Sequence, residues 1–309
     1  TDTAPLSGLL TDPGIVKVMH AASEDLEVFP HWLGALPTPL FDTQRAAGLL
    51  DIGFGMGYGA LVKACLDIAL GKGETRSDWL RRPLSASQCE YAAQDVIHLA
   101  ALWRQLGPRC REAGKYDWVL EDSQQAAANL SSDGAEQYRR VKNGWRLTPP
   151  ELAVLIAISA WRESSARVRD KPRNWIIDDA ACIALATAQP ASIDALSRLD
   201  LPPAVVRRDG RELVELITAA AALPEDALPA RLPAPLDARQ RTTLKRLKER
   251  ARSIAVELEM APEIVLPGKD FELLLREAAG EAVQAPPHWS GWRAAKVLAP
   301  LRAALSGGQ

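Results

Sequence analysis

The sequence predicts an α/β front third followed by two small all-helical units, and three observations carry that reading. Up to about residue 107, short apolar strand-like runs alternate with segments of helical periodicity, as in a layered α/β domain. Beyond that point the strand-like runs give way to long helical stretches. A proline-rich stretch from Leu223-Pro224-Glu225 to Leu236 then divides those helices into two sets.

Taken in order, Leu6 to Leu10 can form a helical turn, Asp12-Pro13-Gly14 is a turn, and Ile15 to Met19 reads as a short buried strand. Ser23 is a good helix N-cap, with Glu24 and Asp25 in the first turn and Leu26, Val28 and Phe29 behind them. After a loop from Gly34 to Pro39, Pro39-Leu40-Phe41-Asp42-Thr43 reads as a second strand and its exit. Leu61 to Leu70 and Ala86 to Leu106 have helical spacing. Helices are then expected over Glu112–Leu130, Pro149–Val168, Asp178–Ala188, Ser192–Leu199 and Gly210–Ala222. Trp175-Ile176-Ile177 reads as strand-like, ahead of a helix capped by Asp178. A last helical section runs from Asp237 to Leu305, interrupted at Pro262 to Lys269.

Composition excludes several classes. With 309 residues, 47% hydrophobic and 25% charged, the chain can bury a core and build two or three domains. No apolar run reaches the roughly 20 residues needed to cross a bilayer, and no signal-peptide pattern opens the chain. A cytoplasmic protein without membrane partners is the simplest expectation. Cys65, Cys89, Cys110 and Cys182 are scattered, which suits a reducing compartment and argues against a structural zinc. The net charge of −2 gives no global sign of nucleic acid, so that case has to be local.

Gly53-x-Gly55-x-Gly57-x-Gly59 resembles a phosphate cradle. A dinucleotide fingerprint needs a strand before it and an acid at the end of the next strand. Here a helix-like Gln44 to Leu50 precedes it and a helix follows, so a nucleotide cofactor is rejected.

The chemically informative stretch is Gln88 to Asp95. Tyr91 and Asp95 stand four apart, so on a helix they project from one face. An Asp there can hold a divalent metal while a Tyr hydroxyl positions a water. Alone, the pair reads more simply as a packed Tyr and a solvated Asp. Asp25, alone, reads as an acid complementing a helix N-terminus. Asp42 reads first as a strand-end or capping residue.

Four stretches, HAASEDLEVF, LPTPLFDTQ, ETRSDWLRRPL and QCEYAAQDVIHLA, occur in the order and spacing of bacterial ribonuclease D, which the chain resembles over nearly its whole length. That family belongs to the tyrosine branch of the DEDD exonucleases. The resemblance implies a ribonuclease H-like α/β exonuclease domain, N-terminally incomplete here, followed by two all-α HRDC-like domains. It implies a 3′→5′ exoribonuclease that hydrolyses RNA from a free 3′ end with two Mg²⁺ or Mn²⁺ ions and releases nucleoside 5′-monophosphates. Precursor tRNA is the implied substrate class, and a monomer is expected. Asp25 and Asp95 match the family's metal-binding aspartates, and Tyr91 its catalytic tyrosine.

The family's first motif, an Asp-x-Glu on the opening strand, has no counterpart; Thr1-Asp2-Thr3 is not it. By the resemblance the stretch begins about sixty residues into the domain. A sheet lacking its central strands would expose apolar surface, so truncation is expected rather than a natural pseudoenzyme. The stretch as given is expected not to cut RNA. The alternative is a non-catalytic RNA-binding module with an incomplete metal site. A DNA-directed exonuclease would share the metal chemistry.

The expected domains are a partial exonuclease domain over 1–110, a helical linker over 111–147, an HRDC domain over 148–223, a proline-rich linker over 224–236 and a second HRDC-like unit over 237–309. Candidate RNA contacts are Arg76, before the catalytic helix, and the cluster Arg162, Arg167, Arg169, Lys171 and Arg173. Trp145, Trp161, Trp175, Trp289 and Trp292 are expected to pack rather than stack on bases.

Overall fold

The computed structural model describes residues 2–71, 77–130 and 137–306. Arg76 lies outside the described residues. The chain forms two compact units, one of residues 1–130 with 236–309 and one of residues 131–235.

The first unit opens with α1 (Ala4–Thr11), β1 (Lys17–Met19), α2 (Ser23–Leu33) and β2 (Leu40–Asp42). The strands pair in parallel, Lys17 to Leu40 and Met19 to Asp42. There follow α3 (Thr43–Leu49), α4 (Tyr58–Leu66), α5 (Ala86–Ile97), α6 (Leu99–Glu112) and α7 (Tyr116–Leu130). Gly114, at φ +67°, turns the chain between α6 and α7, inside the helix expected over Glu112–Leu130, and the helix expected over Ala86–Leu106 divides at His98 into α5 and α6.

In the second unit, α8 (Pro149–Val168), α9 (Arg173–Ile176), α10 (Asp179–Ala188), α11 (Ile193–Ser197) and α12 (Pro203–Ala221) close around Leu155, Ile158, Leu185, Leu196 and Leu213. A capping box starts α8: Glu151 accepts from the Thr148 backbone N–H at 2.8 Å. Asp178 caps α10 through the Ala181 N–H at 2.8 Å, as its position in the sequence suggested. The stretch expected to be strand-like is instead the short helix α9, because Ile176 and Ile177 are buried against α8 rather than paired with a strand.

The chain then returns to the first unit with α13 (Ala238–Glu257), α14 (Pro262–Val265), α15 (Asp270–Ala278), α16 (Gly291–Arg293) and α17 (Ala299–Ser306). This section shares one core with the front of the chain. Phe41, Leu49, Leu61, Leu102 and Leu106 pack in the same cluster as Leu247, Ile254, Val265, Leu274 and Leu301. Three polar devices fasten the two stretches. Lys115 Nζ donates to the carbonyls of Leu49 and Glu259, both at 2.9 Å, and burial pushes its ammonium pKa down. Arg293 pairs with buried Asp122. At Gly48 the backbones meet: Ala261 N–H donates to the Gly48 carbonyl at 2.9 Å, and a Cβ there would sit 2.6 Å from Ile264 Cγ1. Among the described residues no helix is long and apolar enough to cross a membrane.

Candidate active site

Both strands of the described sheet run toward one edge, and the candidate site lies at their carboxyl ends, where open parallel sheets place ligands. Asp42 closes β2 and organises that edge. Its carboxylate accepts from Ala21 N–H at 3.0 Å and Ala22 N–H at 3.1 Å, entering α2, and from Gln44 N–H at 2.8 Å, entering α3. A buried acid bonded to three backbone donors is a cap, as the strand-end reading suggested. The cap expected from Ser23 is displaced: Ala22 is the N-cap, Ser23 is the first helical residue, and Asp42 supplies the oxygens. Ala21 adopts φ +52° to make this turn, a strained conformation for a residue with a Cβ.

Relieved of capping, Asp25 projects from the first turn of α2 into solvent. Desolvation pushes its carboxyl pKa up, and the nearby acids Glu24 and Asp42 push the same way. Asp95 lies on α5, whose start is fixed by a second capping box. Ser85 Oγ accepts from Gln88 N–H at 3.1 Å, Gln88 Oε1 accepts from Ser85 N–H at 2.9 Å, and Gln88 Nε2 donates to the Asp78 carbonyl at 3.1 Å. Desolvation raises the Asp95 carboxyl too. Neither acid has an ion pair among the described residues. Tyr91, one turn before Asp95, packs its ring on Trp79 with centroids 5.9 Å apart.

Two residues without an assigned role in the sequence join these acids. His20 ends the β1 edge, with Nδ1 2.9 Å from Thr43 Oγ1 and Nε2 3.0 Å from the Met56 carbonyl. Burial lowers its pKa, against a smaller upward pull from Asp42. Its ring meets Tyr58 edge-on at 5.5 Å. Tyr58 OH accepts the His98 N–H at 3.1 Å, and its pKa is raised by burial first and by Asp95 as well. Asp42 acts on both Asp25 and His20, and Asp95 acts on Tyr58, whose ring meets His20. The signal for His20 was its place just past a strand end; Tyr58 carried none.

The basic cluster of the second unit divides differently from the expectation. Arg162 is corrected from an RNA contact to a core residue: its side chain is 3% exposed and donates to Asp179 at 2.9 Å and to the Ile177 carbonyl. Arg169 ties α8 to α12 through both oxygens of Asp209, at 2.6 and 3.2 Å. Burial acts to raise Asp209, but Arg208 and Arg169 hold it below the usual carboxylate range. Arg173 reaches Gln137 and Glu163, and exposed Arg167 lies 3.4 Å from Glu163. Lys171 is exposed. Trp161 is buried and donates to Glu212 at 3.0 Å, and Trp289 and Trp292 are buried, as expected. Trp175 departs from that expectation at 75% exposed, because α9 turns Ile176 inward instead.

Comparison with known proteins fits this architecture. Residues 1–111 match the family described as 3′-5′ exonuclease, and residues 151–217 match the HRDC domain. The molecule is therefore a 3′–5′ exonuclease carrying an HRDC domain and a helical C-terminal part. Ribonuclease D of Pseudomonas paraeruginosa is 46% identical over 308 residues, 98% of this chain and 82% of that protein. Ribonuclease D of Xanthomonas oryzae pv. oryzae is 37% identical over 90% of this chain and 77% of that protein. The crystal structure of Escherichia coli RNase D, described as an exoribonuclease involved in structured RNA processing, superposes with a TM-score of 0.90 at 31% identity, covering 100% of this chain and 84% of that one. The chain belongs to the ribonuclease D family of exoribonucleases.

An exonuclease domain of this kind uses divalent metal. The chain's own donors fit in kind: Asp25 and Asp95 are exposed carboxylates, the hard oxygen ligands that Mg²⁺ and Mn²⁺ favour. They do not fit in number. Among the described residues no three His, Cys, Asp or Glu side chains gather into a metal-holding group.

Proposed function

We propose that this exoribonuclease acts by two-metal-ion hydrolysis at a free 3′ end, releasing nucleoside 5′-monophosphates, with precursor tRNA and similar structured RNAs as substrates. The observation that carries this is the pair Asp25 and Asp95: two solvent-facing acids, raised by desolvation, with no ion pair to either among the described residues. Such acids are poised to take a cation. Asp25 and Asp95 would hold Mg²⁺ or Mn²⁺ together with further carboxylates; the two Asp-x-Glu triplets of the sequence, Asp25-Leu26-Glu27 on α2 and Asp270-Phe271-Glu272 on α15, are helical, and neither stands on a strand as the family's first motif does. Bound cations supply Lewis acidity and charge neutralisation at the phosphodiester.

The remaining work falls to the chain's own groups. Tyr91, its ring set against Trp79, directs its hydroxyl to orient the attacking water. Asp42, by capping α2 and α3, fixes the backbone that aims Asp25. Arg167 and Lys171, two exposed cations of the second unit, follow the RNA backbone, and residues 237–309 act as a second HRDC-like element. The protein works as a cytoplasmic monomer.

The test is 3′ trimming, by the product of the complete reading frame, of a 5′-labelled RNA bearing a single-stranded tail. Trimming is expected with Mg²⁺ or Mn²⁺ and to cease in chelator. Undiminished trimming after chelation defeats the mechanism, and equal trimming of matched DNA defeats the RNA assignment.

A further inference from the structure

From its Asp237 cap to Glu257, helix α13 carries seven cations against three carboxylates, Asp237, Glu249 and Glu257. At about 3.6 residues per turn the helix has one buried face, Leu247, Ala251, Ile254 and Ala255, and two exposed flanks. The flanks differ. Arg239, Arg246 and Arg250 share theirs with Glu257, which accepts from Arg250 at 2.7 Å. On the other, Arg241, Lys245, Lys248 and Arg252 follow one another at spacings of four, three and four residues, so they form a row. All four are exposed, and none has an ion pair among the described residues.

The groups around the row leave its charge standing. Arg241 Nη1 donates to the Leu236 carbonyl at 2.6 Å, and the Lys248 ammonium lies 6.0 Å from the centroid of the Phe271 ring; neither partner is an anion. Asp237 is turned to the Gln240 N–H, at 2.7 Å. Glu249 stands between the flanks and Glu272 is exposed on α15, and neither is paired with the row. At Arg252 acids do gather: it lines one cavity with Lys115, Asp51 and Glu259, where two cations meet two carboxylates. The excess therefore lies over Arg241, Lys245 and Lys248. Like charges three and four residues apart repel on a helix, and Arg241 lies near the positive amino end, so the row is unfavourable until an anion covers it. Solvated faces usually interleave the two signs, as the Arg250 flank does.

The length of the row selects the anion. Arg241 and Arg252 are eleven residues apart, about 16 Å along the axis, with a cation roughly every 4.5–6 Å. A single phosphate meets one or two of them, whereas an extended polyanion meets them all. The row also starts near the candidate site. Lys115, beside Arg252, holds the Leu49 carbonyl at the end of α3, and Asp42 caps the start of α3 at the edge that presents Asp25. The seven residues of α3 separate the two, roughly 10 Å. We propose that this flank of α13 is a track for the RNA backbone upstream of the 3′-terminal nucleotide. Arg241, Lys245, Lys248 and Arg252 take phosphates along one strand without reading sequence. This rests on the exoribonuclease reading above and gives that substrate a second place of contact.

The experiment compares two double variants of the product of the complete reading frame. Lys245→Gln with Lys248→Gln strips the row, and Arg239→Gln with Arg246→Gln removes the same charge from the other flank. Glutamine keeps the helix propensity, all four side chains are exposed, and thermal unfolding midpoints serve as fold controls. RNA affinity is read by fluorescence anisotropy with a single-stranded oligoribonucleotide in excess chelator, over a salt series. The lysine pair is expected to weaken binding on the order of tenfold and to flatten the salt slope by about 1.4, and the arginine pair to do less than half of this. With Mg²⁺, KM for a tailed RNA should rise by a similar factor in the lysine pair while kcat stays at the wild-type value. Wild-type affinity and slope in the lysine pair overturn the track. Equal losses from both pairs overturn it too, because net charge alone would then explain them. If the lysine pair loses binding to vesicles of anionic phospholipid but keeps its RNA affinity, the flank serves a membrane surface and the track is overturned. Normal trimming with an unchanged KM in the lysine pair fails the track alone, whereas a wild-type enzyme that trims no RNA fails the functional reading and the track with it.

Discussion

Arg293→Met is the substitution whose cost the structure specifies best. Arg293 lies 171 residues from Asp122, and both are buried. Its guanidinium grips both oxygens of the carboxylate and also donates to the carbonyls of Ile264 at 3.0 Å and Val265 at 3.2 Å. Methionine keeps much of the stem's bulk but removes every donor. Leaving one member of a buried pair uncompensated costs about 3–5 kcal/mol. Trp292 Nε1 still donates to Asp122 at 3.0 Å, which favours the lower end of that range. The two carbonyls each lose a donor at about 1 kcal/mol. The total is about 5 kcal/mol, or roughly 15 °C in the melting of a unit of this size. Trp292 stacks on Trp118 with ring centroids 4.6 Å apart and 9° between planes, so tryptophan fluorescence in urea reports the same contact. Asp122→Leu combined with Arg293→Met should recover to within about 2 kcal/mol of wild type, because no charge is left stranded. A loss under about 1 kcal/mol in Arg293→Met, or no recovery in the double variant, refutes the reasoning.

Gly48→Ala should destabilise the same unit by about 1–3 kcal/mol, because its Cβ would meet Ile264; chemical denaturation checks this, and adding Ile264→Ala should relieve the clash at the expense of a cavity. Burial holds His20 below its ordinary pKa, so its contribution to stability is present above about pH 6.5 and is lost as pH falls through the lower folded value. Melting curves from pH 8 to 5 should therefore fall less steeply for His20→Gln than for wild type. Burial pushes the Cys110 and Cys182 thiols up to about 11, while Cys89 is exposed. A thiol reagent at neutral pH should modify Cys89 in the native protein and reach Cys110 and Cys182 only after unfolding, as mass spectrometry would show.

Local structure was legible wherever its cause was local. Asp178 announces the start of α10, and the four-residue spacing of Tyr91 and Asp95 needs only a helix, here α5, to acquire meaning. The β1 and β2 runs were legible because both are short, apolar and followed by turn chemistry. Long-range partners were not. Nothing near Arg162 in sequence announces that Asp179 will draw its guanidinium into the core, and a solvent-facing arginine is the sound expectation without that partner. The same holds for Lys115, whose acceptors are backbone carbonyls 66 and 144 residues away. The shared core of residues 1–130 and 236–309 was hidden because the apolar stripe of α13 does not say which surface it faces. The candidate acids were singled out through their motifs. His20 and Tyr58 emerged only when the fold laid one ring against the other.

The most direct test of the central claim is the trimming rate of Asp95→Asn in the native enzyme, measured with Mg²⁺ alongside RNA affinity in chelator. Asparagine keeps the shape of the side chain and removes the charge that would hold a cation. The account predicts that trimming falls by on the order of a thousandfold while affinity stays at the wild-type value. An Asp95→Asn enzyme that trims RNA at close to the wild-type rate would contradict it.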